Sequence, residues 1–190
     1  VEVKVSRANY NDATASATLT ITKQAIELTA DSGSWTYDAS EHTKPSYTIT
    51  DGSFATGEGL TSATFAAASA ITNVGSVANT ITGVTPKAGT QENDYAFTYK
   101  AGTLTITNAT LIGVTLTGGS WTYNGGAHSA TLTGTQSSDT IEYRTSTNGG
   151  TTWSTWSSTK PSVTHVSDGP MQVEVKVSRA NYNDATASAT

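Results

Sequence analysis

The stretch VEVKVSRANYNDATASAT occupies residues 1–18 and recurs, letter for letter, at residues 173–190. Its first part alternates strictly, because Val173, Val175 and Val177 share one face of an extended chain while Glu174 and Lys176 share the other. Such period-two alternation is typical of a β-strand with one buried face. A return to the same letters after 172 residues is the pattern of a tandem array.

A shorter repeat lies inside the long one. Gly-Ser-Trp-Thr-Tyr begins at Gly33 and again at Gly119, an offset of 86, and Thr-Leu-Thr-Ile-Thr begins at Thr18 and again at Thr103. Two diverged units, A and B, therefore alternate, and the pair itself is copied. We predict that residues 1–22 are the closing hairpin of a preceding B unit, that 23–108 form unit A, and that 109–190 form a unit B without its last strand.

The composition favours a folded all-β protein. Thr and Ser make up 60 of the 190 residues, only 13% of residues are charged, and the net charge is −5. Disordered chains lack β-branched and aromatic residues and carry high net charge, whereas this chain is rich in Thr, Val, Ile, Tyr and Trp. Alternating segments separated by Gly, Asn and Asp predict tandem Greek-key immunoglobulin-like β-sandwiches of about 86 residues each.

The predicted strands follow one plan in both units, and no window has a sustained helical period. The closest to a helical pattern, 65–70, is an Ala-rich stretch without a charged face. In unit A the predicted strands are 23–29, 35–37, 46–50, 76–84, 95–100 and 103–107. In unit B they are 111–117, 121–123, 129–134, 140–145, 151–157 and 173–178.

The residue types also indicate where the protein works. The chain has no cysteine, and a unit of about 86 residues is large enough to bury a modest core without disulfides. Zero Cys with abundant Thr, Ser, Gly and Asn favours a bacterial extracellular protein at the cell surface. The scattered Lys and Arg do not indicate nucleic acid as a partner, and no apolar span indicates membrane contact.

Two short motifs resemble the modules of large bacterial adhesins. Trp-Thr-Tyr-Asp at Trp35–Asp38 and Trp-Thr-Tyr-Asn at Trp121–Asn124 are similar to the YDG signature of MBG and YDG-like, immunoglobulin-like surface repeats. The Asn-Tyr followed by Thr-Leu-Thr-Ile-Thr resembles the closing pattern of those repeats. The third signature position holds Ala39 in unit A, and Gly125 follows Asn rather than Asp in unit B. The resemblance implies a stalk segment that holds an adhesive tip away from the cell.

One segment of unit B combines a turn motif with two tryptophans. Residues 146–153 read Ser-Thr-Asn-Gly-Gly-Thr-Thr-Trp and resemble the Asp-box hairpin of sialidase propellers. We interpret the segment as a structural turn, because Asn-Gly between two strands needs only positive φ. Trp153 and Trp156 are the candidate ligand-contact aromatics. Residues three apart on a strand point to opposite faces, so at most one should be exposed, and packing is the favoured interpretation.

Metal binding and covalent chemistry receive less support. His42, His128 and His165 lack the spacing of a zinc site, and we interpret them as surface histidines. No EF-hand-like loop is present, although structural calcium stays open at the acids near turns and junctions. A Lys–Asn isopeptide crosslink would require one of the lysines in strand patterns to be buried beside an Asn. The acids are Asp31, Asp51, Glu92, Asp94 and Asp168, and the lysines are Lys4, Lys100 and Lys176.

The sequence therefore predicts a non-enzymatic structural repeat without a cofactor, because no nucleophile motif, phosphate loop or carboxylate pair is present. Its expected partners are neighbouring copies of its own repeat. Two alternatives stay open: a module that binds glycan or a host surface protein through an exposed aromatic of unit B, and a subunit that assembles into an extracellular fibre or surface layer.

Overall fold

Alternating Thr, Val and Ile residues place nearly half of the chain, 47%, in short β-strands, and there is no α-helix. The computed structural model describes residues 1–190. No helix is long and apolar enough to cross a membrane. The two 3-10 turns cover Glu92–Asp94 and Val166–Asp168. The all-β class predicted from composition is confirmed, and the several small sheets are consistent with a β-sandwich.

The strands are short, none longer than seven residues, and they are numbered here in chain order. The first ten are β1 (Glu2–Val5), β2 (Ala13–Ser16), β3 (Gln24–Ala30), β4 (Gly33–Thr36), β5 (His42–Thr43), β6 (Tyr47–Asp51), β7 (Leu60–Phe65), β8 (Ala70–Ile71), β9 (Gly75–Asn79) and β10 (Ile81–Pro86). The others are β11 (Tyr95–Lys100), β12 (Gly102–Thr107), β13 (Ala109–Thr110), β14 (Thr115–Thr117), β15 (Thr131–Thr133), β16 (Thr140–Ser146), β17 (Gln172–Ser178), β18 (Tyr182–Asn183) and β19 (Ala185–Ala189).

Unit 1 of the structure contains residues Val1–Ser32, Lys44–Ser69 and Ala78–Thr103. Its central sheet has the order β11-β3-β6, in which β3 runs parallel to β11 and antiparallel to β6. The β10-β7 pair and the β1-β2 hairpin complete the unit. Alternate residues of β3 face the core, which is composed of Ile26, Leu28, Ala30, Ile81 and Tyr95.

Two buried polar groups organise unit 1. The Asn79 side chain is 1% exposed, and its Nδ2 donates to the carbonyl oxygens of Asp31 and Lys44, both at 2.8 Å. The Tyr95 hydroxyl donates to a carboxylate oxygen of Glu58 and accepts from the backbone N–H of Ala55 at 3.0 Å. The Glu58 bond raises the pKa of Tyr95. Buried polar groups with partners fix the loops that supply those partners.

Unit 2 contains residues Gly33–Thr43, Ala70–Val77 and Leu104–Thr190. It has two apolar clusters. The first is Ile71, Leu104 and Ile106, against which Trp35 and Tyr37 pack. In this unit, residues Leu104–Thr107 of β12 run parallel to β4, and the β5-β8 pair lies in the same unit.

The second cluster of unit 2 contains Leu111, Leu116, Tyr143, Val173, Val175 and Val177. Its main sheet has the order β16-β17-β19, with antiparallel pairing throughout, and β14-β15 and β13-β18 are the accompanying pairs. The burial of β17 alternates residue by residue with the three valines inward, as the sequence predicted. Asn181 accepts from the Val74 backbone N–H at 2.9 Å and contacts Asn73 at 3.1 Å.

Most predicted strands of residues 23–107 are present within a residue or two, except that the predicted strand 76–84 is two strands, β9 and β10. The predicted strands 121–123 and 151–157 are wrong, because neither segment forms one. Thr151–Ser157 instead follows a loop closed by Asn148, and only Ser154 and Ser157 bond to β16. The boundary predicted between residues 108 and 109 lies within unit 2, and the repeat-based modules stay a prediction.

Candidate functional site

The Trp-Thr-Tyr motif of each repeat unit leads into the same loop. In the first copy, Asp38 Oδ1 accepts from the Ser40 backbone N–H at 2.8 Å and contacts His42 Nε2 at 3.0 Å. The His42 ring is thereby held against the Trp35 ring, with centroids 4.7 Å apart and planes 19° apart. These contacts, the Ser40 bond first and His42 second, lower the pKa of Asp38.

The second copy reproduces this geometry with an amide in place of the carboxylate. Asn124 Oδ1 accepts from the Gly126 backbone N–H at 2.9 Å and lies 3.1 Å from His128 Nε2. The His128 ring stacks on Trp121, with centroids 4.9 Å apart and planes 11° apart. Both histidines, interpreted from the sequence as surface residues, are half-buried and stack on a tryptophan in the loop.

The third signature position has a conformational requirement. Ala39 has φ +65° and Gly125, its equivalent, has φ +77°. This left-handed region carries no steric penalty for glycine but costs other L-residues about 1–2 kcal/mol. The loop therefore explains physically why glycine suits this position, and it predicts local strain at Ala39.

The two loops differ in what covers them. Trp35 packs against Leu104 and Ile106 of β12, whereas Trp121 is 46% exposed and Tyr123 is 62% exposed. A cleft of about 530 Å³ opens beside Trp121 and His128. Its other walls are Pro161–Val163, His165, Met171 and Ala189–Thr190, all within unit 2.

His165, at one wall of the cleft, lies on a fixed turn. The Asp168 carboxylate accepts the backbone N–H groups of His165 at 2.7 Å and Thr164 at 2.9 Å. These bonds, His165 first, lower the pKa of Asp168. The His165 ring lies 6.1 Å from the ring of Tyr123. The cleft thus presents flat aromatic faces and few charges, an arrangement that suits an extended apolar segment or the face of a sugar ring.

Trp153 and Trp156 both lie within cation–π distance of one arginine. The Arg144 guanidinium is 4.9 Å from the Trp153 ring and 4.6 Å from the Trp156 ring, and Lys176 Nζ is 5.1 Å from Trp156. Both indoles are half-buried. The strand assumed for this expectation is absent, because residues 151–157 do not form one, and the role of the two tryptophans as ligand contacts stays a prediction. Cation–π packing occupies a face of each ring, so these residues contribute to packing whether or not they contact a ligand.

The segment of residues 146–153 is a turn, as interpreted from the sequence. Asn148 Oδ1 accepts from the Thr152 backbone N–H at 3.0 Å, and its Nδ2 donates to Thr152 Oγ1 at 2.8 Å. The buried Ser146 hydroxyl accepts from the Gly150 backbone N–H at 3.0 Å. These bonds give the motif a structural purpose and supply no catalytic arrangement.

No group of three or more His, Asp or Glu side chains is placed to hold a metal ion, and the calcium hypothesis stays a prediction. Asp31 accepts from Ser46 and Thr48, and Asp51 from the Gly52 backbone N–H. Glu92 and Asp94 lie in a 3-10 turn. The lysines considered for an isopeptide contact carboxylates instead: Lys4 with Asp12, Lys100 with Glu27 and Lys176 with Glu142.

Sequence reasoning missed the cleft beside Trp121. No local sequence signal marks the cleft, because the Gly-Ser-Trp-Thr-Tyr motif reads the same in both copies. No protein-family model matches the chain, and no match was found among curated proteins or among solved structures. Function is therefore argued from the repeat and from the geometry above.

Proposed function

We propose that this chain is a structural repeat segment of a large extracellular bacterial surface protein or adhesin, where it extends a stalk or fibre that projects a distal tip. The proposed role is non-enzymatic. In this proposal the repeats are tandem Greek-key immunoglobulin-like modules, of the kind that the MBG and YDG-like resemblance implies. The observation that supports it most is the exact recurrence of eighteen residues after 172 positions, since a copied segment adds length without adding new chemistry.

The structure of the copied segments supports a modular role. Both copies of the eighteen-residue segment form the same hairpin, and both Trp-Thr-Tyr motifs form the same stacked loop. A segment that recreates its local structure at each occurrence lets the number of repeats change while each repeat keeps its shape.

The test compares the chain with one that carries a second 172-residue period. Small-angle scattering would measure the radius of gyration of both at low concentration. A compact particle of twice the length would gain only about 1.3-fold, whereas a linear array approaches a twofold gain. A gain close to twofold supports the stalk, and a gain near 1.3-fold would contradict it.

A binding role is the second candidate, and the exposure of Trp121 and Tyr123 beside the cleft favours it. Exposed aromatic faces with a polar edge are suited to glycans and to protein partners. A glycan array and a host-protein pull-down would test this role, with the Trp121→Ala variant to localise any binding. Saturable binding that persists in Trp121→Ala would assign it to another surface, such as Trp153 and Trp156.

A further inference from the structure

Two exposed asparagines of unit 2 stand before the same two residues. Asn124 and Asn148 are each followed by Gly-Gly. The two glycines next to them share the left-handed backbone, with φ +77° at Gly125 and φ +70° at Gly149. An asparagine before glycine is prone to lose its side-chain amine, because a glycine nitrogen without a neighbouring Cβ can reach the side-chain carbonyl carbon. The sequence makes the two sites equally reactive, so a difference between them must come from the fold.

The Asn148 side chain is held at both ends of its amide group. Its Oδ1 accepts from the Thr152 backbone N–H at 3.0 Å and from the Ser146 hydroxyl at 2.9 Å. Its Nδ2 donates to Thr152 Oγ1 at 2.8 Å. The amide carbon cannot turn toward the Gly149 nitrogen without breaking these bonds, so the fold protects Asn148.

The Asn124 side chain is held at its oxygen. Oδ1 lies 2.9 Å from the Gly126 backbone nitrogen and 3.1 Å from His128 Nε2, and neither contact involves Nδ2. An amide oxygen only accepts hydrogen bonds, so His128 Nε2 is the donor. Two N–H groups at one carbonyl oxygen stabilise the negative charge that develops there when a nucleophile adds to the carbon. The loop thus activates the Asn124 carbonyl and leaves its amine free to depart.

The first copy of the loop shows that an aspartate fits this position. Asp38 Oδ1 accepts from the Ser40 backbone N–H at 2.8 Å and lies 3.0 Å from His42 Nε2. The Asp38 side chain is 51% exposed although the adjacent strand β4 pairs with β12. Water therefore reaches this position of the loop whether or not the strand beside it has a partner.

We propose that Asn124 is a self-modification site, at which the loop converts the asparagine to aspartate without an enzyme. The Gly125 nitrogen attacks the side-chain carbonyl carbon of Asn124 and forms a C–N bond. The bond from that carbon to Nδ2 breaks, and Nδ2 leaves as ammonia with the hydrogen from the Gly125 nitrogen. Water then adds to the cyclic imide, its hydroxyl to a carbonyl carbon and its hydrogen to the Gly125 nitrogen.

The two donors also decide which product forms. Water that adds at the side-chain carbonyl restores the ordinary main chain and yields aspartate, whereas addition at the main-chain carbonyl yields isoaspartate. Gly126 and His128 polarise the side-chain carbonyl, so aspartate is the expected product. The second loop then carries the carboxylate–histidine contact of the first. The reaction needs neither a stalk nor a ligand, so it goes beyond the proposed function and stands apart from it.

Peptide mapping by mass spectrometry during incubation of the folded chain measures both sites. Cleavage after Arg144 places Asn124 and Asn148 on different peptides. Asn124 should convert faster than Asn148 by about tenfold, because only its amide is free to turn. In the chain unfolded with urea, the two rates should be equal, and isoaspartate should form a larger share of the product than in the folded chain.

Three results of this measurement would overturn the proposal. They are equal rates in the folded chain, faster conversion of Asn148, and an excess at Asn124 that persists in urea, which would assign the difference to sequence alone. A folded-chain product that is mainly isoaspartate would overturn the role given to the two donors.

Two variants test the control exerted by the fold, with the other asparagine as the internal control in each sample. Thr152→Val removes the hydroxyl that accepts from Asn148 Nδ2 but keeps the backbone N–H, so conversion of Asn148 should rise by about fivefold. His128→Phe keeps a flat ring beside Trp121 but removes the Nε2 donor, so conversion of Asn124 should fall by about threefold. Circular dichroism checks that each variant is folded. An unchanged or opposite rate at the targeted asparagine in either folded variant would overturn the proposal.

Discussion

The two copies of VEVKVSRANYNDATASAT adopt one hairpin in two environments. In the first copy β1 pairs with β2, from Glu2 opposite Ser16 to Val5 opposite Ala13. In the second, β17 pairs with β19 in the same register, from Glu174 opposite Ser188 to Val177 opposite Ala185. The pairing of these strands is therefore a property of the eighteen residues themselves.

The connection between the strands is equally local. Asn9 and Asn181 both have φ +68°, a conformation that Asn tolerates better than most residues. The backbone N–H of Tyr10 donates to the Arg7 carbonyl at 3.1 Å, and the bond from Tyr182 to Arg179 has the same length. Turn chemistry and alternation together favour this hairpin in both environments.

Burial separates the two copies. Val1, Val3 and Val5 are 72%, 54% and 61% exposed, whereas their equivalents Val173, Val175 and Val177 are 8%, 0% and 0% exposed. The second copy lies beside β16 and packs on the cluster that includes Leu111, Leu116 and Tyr143. The comparison teaches that sequence sets the pairing, while the neighbouring strands set how much each residue stabilises the fold.

The largest expected effect on the free energy of unfolding comes from truncating the central valine of the hairpin. The valine is replaced in each copy separately, in two variants. Val175→Ala should destabilise unit 2 by about 2–3 kcal/mol, because it removes two buried methyl groups and leaves a cavity. Val3→Ala should change stability by less than about 0.5 kcal/mol, because its side chain is largely in solvent. Urea unfolding followed by circular dichroism measures both variants, because it reports the strands of both units, and tryptophan fluorescence isolates unit 2, where all four tryptophans lie.

Equal losses of unfolding free energy from Val175→Ala and Val3→Ala would show that the Val3 side chain is also buried in solution. Concentration dependence of the Val3→Ala loss would place that cover on a second molecule. The wild-type chain at matched concentration is the reference for both variants.

The same contrast explains which features could be predicted from sequence. Alternation and exact repetition identified β17 and the first hairpin, because both signals are local. Trp121–Tyr123 was predicted as a strand by analogy with residues 35–37, but strand formation there needs a partner like β12. Residues 151–157 carry β-forming residues, yet Arg144 and the Asn148 turn determine their path. The cleft could not be predicted, because it depends on which strands meet.

A smaller effect on stability is expected from an ion pair that the second copy forms with a carboxylate outside the copied segment. Arg179 pairs with Asp139 through two bonds of 2.6 and 2.8 Å, and this pairing lowers the pKa of Asp139 to about 2. A carboxyl whose pKa is lowered on folding contributes stability that is complete above its ordinary value of 3.8 and disappears as the pH falls toward 2. Asp139→Asn should therefore lose less stability than wild type between pH 4 and pH 2.

Asp12→Asn is the matched control, because Asp12 pairs with Lys4 in the exposed copy and that ion pair lowers its pKa as well. Its acid unfolding, followed by circular dichroism so that both units are reported, should match that of the wild-type chain, because exposed ion pairs contribute little. Parallel loss of stability in wild type and Asp139→Asn from pH 4 to pH 2 would show that this ion pair does not stabilise unit 2.

The smallest expected effect on stability concerns the fourth residue of each copy, a lysine that contacts a different carboxylate in each. Lys4 lies 2.6 Å from Asp12 of its own hairpin, and its side chain is 62% exposed, whereas Lys176 lies 2.5 Å from Glu142 of β16 and is 27% exposed. Exposed ion pairs contribute little, so Lys4→Gln should leave stability unchanged and Lys176→Gln should cost about 0.5 kcal/mol.

A double-mutant cycle of Lys176→Gln with Glu142→Gln measures the pair apart from the packing of Lys176 on Trp156. A coupling energy of zero, with the cost of Lys176→Gln retained, would assign the effect to the indole contact. The two lysines would then differ in their contribution to stability through packing alone. The strand and the indole beside the second hairpin would stabilise it by excluding water, and the carboxylate of Glu142 would contribute nothing.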